Sequence, residues 1–276
     1  MIEWVERLLE REEVNLDKLD KSGRTPLSYA AWCGREEVVK ILLKQEEVNP
    51  NKSSYEGQTP LSYAAQNGHE GVVKIILGQQ DVNPDQPDHA KTPLLHAALE
   101  GHLRVVKILL GRGEVNPDAQ DHTGQTPLAY AADKGHAEVV KILLGRAEVN
   151  PDKPSIYGRT PLQHAASNGH EGVVEIVLGR EEVNPDRQDN EGQTPLFAAA
   201  ERGREGVVKM LLARNDVAPD KPDDQGRTPL MSASAQRHKR VIELLEPQVA
   251  DDSEPKVKRI SISIIKMPRY YTGVLG

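Results

Sequence analysis

The chain has a single cysteine, Cys33, among its 276 residues. That excludes an intramolecular disulfide and any cysteine-rich zinc site, and the expected setting is a reducing compartment. Aromatic residues make up only 4% of the chain, with one phenylalanine, so its core has to be aliphatic and alanine-rich. Basic charge is not in excess. The formal net charge of -7 argues against a nucleic-acid-binding role, which relies on a basic stripe. No apolar run is long enough to span a bilayer, so no membrane role is expected. The opening segment, Met1 to Arg7, is too charged for a secretory signal. The protein is therefore expected inside the cell, in the cytoplasm, with the nucleus left open.

Motifs of catalysis are missing as well. There is no phosphate-binding glycine loop, no Gly-x-Ser-x-Gly nucleophile turn and no His-Glu-x-x-His. His69-Glu70 and His170-Glu171 both lack the second histidine. The chain is read as non-enzymatic, with no cofactor, no metal and no catalytic residue.

What is present is a period. Thr-Pro-Leu occurs seven times, starting at Thr25, Thr59, Thr92, Thr126, Thr160, Thr194 and Thr228, at intervals of 34, 33, 34, 34, 34 and 34 residues. Periods of this size mark stacked supersecondary units, each packing on its neighbours. In the unit from Gly57 to Asn83, Gly57 permits a tight turn, Thr59 is an N-cap and Pro60 suits the first helical position. Leu61, Ala64 and Ala65 then fall on one stripe of a short helix. Gly68 stops that helix in the left-handed conformation. Val72, Val73, Ile75, Ile76 and Leu77 cover a wide arc of a second helix, as befits one wedged between neighbours. Gly78 closes it, and Val82-Asn83-Pro84-Asp85 leads through a turn to the next unit.

The pattern Gly-x-Thr-Pro-Leu-x-x-Ala-Ala-x-x-Gly-His, as at Gly57 to His69 and Gly124 to His136, resembles the ankyrin repeat. The resemblance implies an elongated, curved all-α solenoid of helix pairs, with projecting β-hairpin or turn fingers. Departures from the family pattern fall in three places. The residue after Thr-Pro-Leu is Ser28, Ser62, Leu95, Ala129, Gln163, Phe197 or Met231 where the family has histidine. The finger entry is one residue shorter, and the following Asn-Pro-Asp turn is two residues longer. Ala90 replaces the turn glycine in the third repeat, which lacks one residue, so its finger is expected to be distorted.

The expected organisation is an N-terminal half repeat at 1-15, a cap or a truncation, then seven ankyrin repeats at 16-246 and a basic, non-ankyrin tail at 247-276. Trp4 is expected to cover part of the first full repeat. Pro247 to Pro255 reads as a polar breaker, and Ile260, Ile262 and Ile264 alternate with strand period. The tail carries +2, which leaves -9 on residues 1-246. It reads either as a loose terminus or as a strand lying on the acidic array, in its own molecule or in a second copy. Arg237 and Glu246 replace a glycine and a leucine, as a terminal cap requires.

His69, His102, His136 and His170 fall in one turn of successive units, and His238 is read one residue later. Neighbouring turns lie about 8–10 Å apart, too far to share a metal. His96 and His164 alternate with Tyr29, Tyr63 and Tyr130 and read as packing residues. Asn15, Asn49, Asn83, Asn116, Asn150 and Asn184 read as turn caps.

The resemblance further implies a concave groove, lined by finger tips and first helices, that receives a protein or peptide. Comparing repeats separates fixed scaffold positions from variable ones. The residues read as partner-binding are Arg24, Trp32, Tyr55, Gln66, Lys91, Leu99, Glu100, Asp133, Lys134, Tyr157, Arg159, Asn168, Glu201 and Arg202. Trp32, Tyr55, Leu99 and Tyr157 are the expected anchors, with burial of Trp32 against the half repeat as the other reading. A monomer is expected, with tail-mediated self-association as a variant. The competing functional readings are a structural spacer, a self-associating fragment of a longer array, or an engineered scaffold.

Overall fold

The computed structural model describes residues 15–89 and 91–249. The expectations for the half repeat, Trp4, the tip of the third finger at Ala90 and the tail from 250 onward lie outside them. The described residues form fourteen helices in seven pairs. The first helices are α1 (Pro26–Trp32), α3 (Pro60–Gln66), α5 (Pro93–Leu99), α7 (Pro127–Lys134), α9 (Pro161–Asn168), α11 (Pro195–Glu201) and α13 (Pro229–Ala235). Their partners are α2 (Glu36–Leu42), α4 (Glu70–Leu77), α6 (Leu103–Leu110), α8 (Ala137–Leu144), α10 (Glu171–Leu178), α12 (Glu205–Leu212) and α14 (Lys239–Val249).

Every first helix starts in the same way. A threonine in extended conformation accepts the amide of the third helical residue, with proline next to it at the first position. These helices span only seven or eight residues, too short to persist alone, so packing supplies their stability. Each first helix packs on its own partner and on the first helices before and after it, while second helices pack on second helices. The Ala-Ala pairs, such as Ala64-Ala65 and Ala131-Ala132, are wholly buried where first helices meet. Val-Val pairs and leucines of the second helices, among them Val139, Val140 and Leu143, complete one continuous aliphatic core that runs the length of the stack.

The turn between the two helices of a pair is the most regular feature. His69 Nε2 lies 2.9 Å from the carbonyl of Trp32, and His102, His136, His170 and His238 reach the carbonyls of Gln66, Leu99, Asp133 and Glu201 at 2.9–3.0 Å. Arg204 does the same with Nε, donating to the Ser167 carbonyl at 3.0 Å. Each bond crosses one boundary between repeats. His238 therefore occupies the same position as the other histidines, not the next one. Like them it lies ten residues after its threonine cap, and Arg237 stands where the other turns have glycine. Arg237 adopts φ 61, the one left-handed non-glycine among the described residues. At Gly135, with φ 76, a Cβ would sit 2.6 Å from the His170 ring, so the ring occupies the space a side chain would need.

The connecting turns are built from Asn-Pro-Asp. All six asparagines, from Asn15 to Asn184, accept the backbone amide two residues on, at 2.9–3.1 Å. The following aspartate then reaches forward to the next repeat. Asp85 Oδ2 accepts the Asn116 amide at 2.6 Å, Asp152 the Asn184 amide at 2.7 Å and Asp186 the Ala218 amide at 3.1 Å. Lysines reach backward, with Lys153 Nζ 2.8 Å from the Asp118 carbonyl and 2.9 Å from its carboxylate. The second oxygen, Oδ1, of Asp17, Asp85, Asp118, Asp152 and Asp186 is buried without a partner. Burial accordingly pushes the Asp85 and Asp152 carboxyls above the ordinary range.

Of the two finger forms expected, the described residues have the turn, without strand pairing. Each finger closes on itself by bonds such as Asp121 N to Gln125 O at 3.0 Å, and the amides of Tyr55, Ile156, Asn190 and Asp224 each make one main-chain bond to the preceding tip, such as Asn190 N to Tyr157 O at 3.0 Å. One bond per boundary is too few for a ladder. The third finger closes over three residues instead of four, from Asp88 N to Lys91 O, so its missing residue comes out of the tip and spares the base. Pro247 does not end the last helix, which continues to Val249. A proline costs the helix one backbone bond, and a single lost bond in the last turn does not stop it.

Candidate protein-binding face

Finger bases and first-helix ends come together on one side of the stack. They line a polar depression of about 90 Å³ formed by Asp133, Arg159, Gln163, His164, Ser167, Asn168, Asp189, Gln193, Ala198, Glu201 and Arg202. Five of the fourteen predicted residues, Asp133, Arg159, Asn168, Glu201 and Arg202, meet here. Asn168 donates to the Asp133 carboxylate at 2.9 Å, and Lys134 pairs with it at 3.2 Å. His164 Nδ1 lies 3.5 Å away and holds the Asp133 carboxyl well below its usual range, against the opposing effect of burial. Arg159 Nε sits 3.4 Å from Asp189, whose other oxygen accepts the amides of Glu191 and Gln193. The acids of the depression's floor are thus largely satisfied from within.

The N-terminal end of this face is aromatic. Arg24 stacks over Tyr29 and Trp32 at 5.2 and 5.1 Å, and is fixed by a 2.8 Å ion pair with Asp20. Trp32 is 41% exposed, so of its two expected states the structure has the open one. Tyr55 and Tyr157 stand out at finger tips, 66% and 61% exposed. Leu99 is half-buried at the end of α5. Gln66 is half-buried and accepts a bond from Gln58 at 3.0 Å, while Glu100 and Lys134 are exposed at helix ends. Lys91 lies over the Tyr130 ring at 5.5 Å.

His96 and His164 are more than packing residues. His96 Nε2 lies 2.5 Å from Asp88 and Tyr130 donates to Asp121 at 2.6 Å, so these two tie their first helix to a finger base, while His164 reaches Asp133 of the preceding first helix. Burial, and then the bond to Asp121, pushes the Tyr130 phenol upward. The net effect on Asp121 is downward, since bonds from Tyr130, Thr123 and Gln125 outweigh its burial. Sequence reasoning missed Tyr29 and Ile156, which are 50% and 57% exposed. The signal for Ile156 was available, because it stands at the position of Tyr55, where the other fingers have Lys21, His89, His122, Asn190 or Asp224.

Among the described residues no three of His, Cys, Asp and Glu gather to hold a metal ion, and no helix is long and apolar enough to cross a membrane. No curated protein matches the chain. Among solved structures, the human ASB11 ankyrin repeat domain is similar, with 27% identity and a TM-score of 0.72 over 83% of this chain and 100% of that one. A family model of ankyrin repeats, described as three copies, matches residues 1–54, 46–121, 94–189 and 178–253. With the repeated helix pair and its threonine cap in every unit, and with matches over most of its length, the chain belongs to the ankyrin repeat family.

Proposed function

We propose that the protein is a non-enzymatic interaction scaffold that holds a protein or peptide against its finger tips and first helices. One observation carries this reading. All five exposed large apolar side chains among the described residues, Tyr29, Trp32, Tyr55, Ile156 and Tyr157, belong to first helices or finger tips, and none to a second helix. Tyrosine, tryptophan and arginine supply most of the energy at protein interfaces, and the predicted residues Arg24, Lys91, Arg159 and Arg202 accompany them here. Gln66, Leu99, Glu100, Asp133, Lys134, Asn168 and Glu201 complete the proposed face. The working form we propose is a monomer in the cytoplasm, in keeping with the lone free thiol of Cys33.

The test compares two variants by affinity purification and quantitative mass spectrometry. One carries Trp32→Ala, Tyr55→Ala, Ile156→Ala and Tyr157→Ala. The other carries Lys74→Ala and Lys141→Ala on second helices. The reading expects partners to be lost from the first variant alone. Partners kept by the first variant and lost from the second would overturn it.

A further inference from the structure

The exposed apolar side chains form two separate groups. Tyr29 and Trp32 flank Arg24 in the first repeat, and the Tyr55 ring of the second lies beside the adjacent Gly23, where an added Cβ would be 2.5 Å from it. Ile156 and Tyr157 form the tip of the fifth finger, beside Arg159. Between them the variable positions are mostly amides and acids, among them Gln66, Asn67, Glu100 and Gln125. Fingers two and five are three repeats apart, which at about 8–10 Å per repeat is roughly 30 Å. An extended chain covers that distance in about nine residues.

Charge defines what lies between the two groups. The residue before each Thr-Pro-Leu is Arg24, Gln58, Lys91, Gln125, Arg159, Gln193 or Arg227, always a cation or an amide and never an acid. Three of these four cations already have a carboxylate, since Arg24 pairs with Asp20, Arg159 with Asp189 and Arg227 with Asp223. Lys91 has only the Tyr130 ring, with no ion pair among the described residues. It belongs to the third repeat, between the two apolar groups.

Building on the interaction face described above, we propose that its occupant is an extended polypeptide segment with a defined spacing. The segment carries one large apolar side chain at each end of a stretch of about nine residues, and an acidic residue about a third of the way along, opposite Lys91. Two separated anchors make affinity depend on both at once, because the second contact forms within an already tethered complex. The acid sets the register and disfavours a basic segment.

The experiment selects phage-displayed random peptides, about 16 residues long to exceed the proposed span, on the full chain. Enriched peptides are expected to show two apolar residues eight to ten positions apart, about the spacing of the two groups, with an acid between them. Against a synthetic copy of such a peptide, Trp32→Ala/Tyr55→Ala and Ile156→Ala/Tyr157→Ala are each expected to weaken binding by about tenfold or more. Lys91→Glu is expected to weaken it too, and a peptide with lysine in place of its acid to bind Lys91→Glu better than the native chain. Circular dichroism checks that the variants fold. Peptides that depend on one apolar group alone, or are indifferent to Lys91→Glu, would overturn this inference and leave the interaction face standing. Peptides that bind every variant equally, or no enrichment at all, would remove the face as well.

Discussion

The turn between paired helices and the face beside it differ in what they tolerate. In the turn, six boundaries use the same bond, five through histidine and one through Arg204. On the face, the residue that supplies the accepting carbonyl is Trp32, Gln66, Leu99, Asp133, Ser167 or Glu201. The same six residues are thus fixed in their backbones and varied in their side chains. Substitutions in the turn should cost stability, and substitutions on the face should cost binding.

The largest effect should come from Gly135→Ala. It places a Cβ at positive φ and against the His170 ring, so a loss of about 2–3 kcal/mol is expected from urea unfolding. His136→Ala should cost about 1–2 kcal/mol, because it strands the Leu99 carbonyl. His136→Arg should recover most of that loss, as Arg204 already performs the task in its own repeat. If arginine is no better than alanine, the bond across the boundary is not what matters there.

Asp152→Asn should work in the opposite direction and stabilise the fold by about 1 kcal/mol, by relieving a buried, unpartnered carboxylate oxygen. Asn51 is the precedent. At the equivalent position its amide donates to the Asp81 carbonyl while its oxygen accepts the Asn83 amide. The gain should depend on pH. The folded Asp152 carboxyl is raised by burial, so its ionised form penalises the fold above that raised value, and protonation relieves the penalty as pH falls. The advantage of asparagine should therefore shrink on acidification. Asp133 has the opposite sign. Its lowered carboxyl stabilises the fold above the ordinary aspartate range, and that contribution fades as pH falls through and below it.

Arg237→Gly should add about 0.5–1 kcal/mol, since it removes a non-glycine residue from φ 61. The smallest effect is expected for Tyr157→Ala, within about 0.5 kcal/mol of the native stability, because its ring is exposed. A stability loss there comparable to that of His136→Ala would blur the distinction between turn and face.

Most of the fold was legible because spacing and residue type recur together. The threonine cap and the proline beside it recur in all seven units, the paired alanines and the turn glycine in the first six, and each has one local physical reason. The asparagine caps were legible for the same cause, as their bonds reach only two residues along the chain. Features that depend on neighbours were not. That the aspartate of Asn-Pro-Asp gives one oxygen to the next repeat and leaves the other without a partner shows only once the repeats are stacked. The protrusion of Ile156 depends on which finger position is outermost. On the candidate face, variation between repeats marked positions but not their company, so the joint enclosure of Asp133, Arg159, Asn168, Glu201 and Arg202 emerged only in three dimensions.

The histidine ring grips a main-chain oxygen, an atom that every amino acid supplies. Stacking therefore places no demand on which side chain that residue displays, and the contact surface can be rewritten letter by letter while the mortar between modules stays the same. An architecture joined in this way can acquire a new guest by point substitution alone, with no compensating change at any seam.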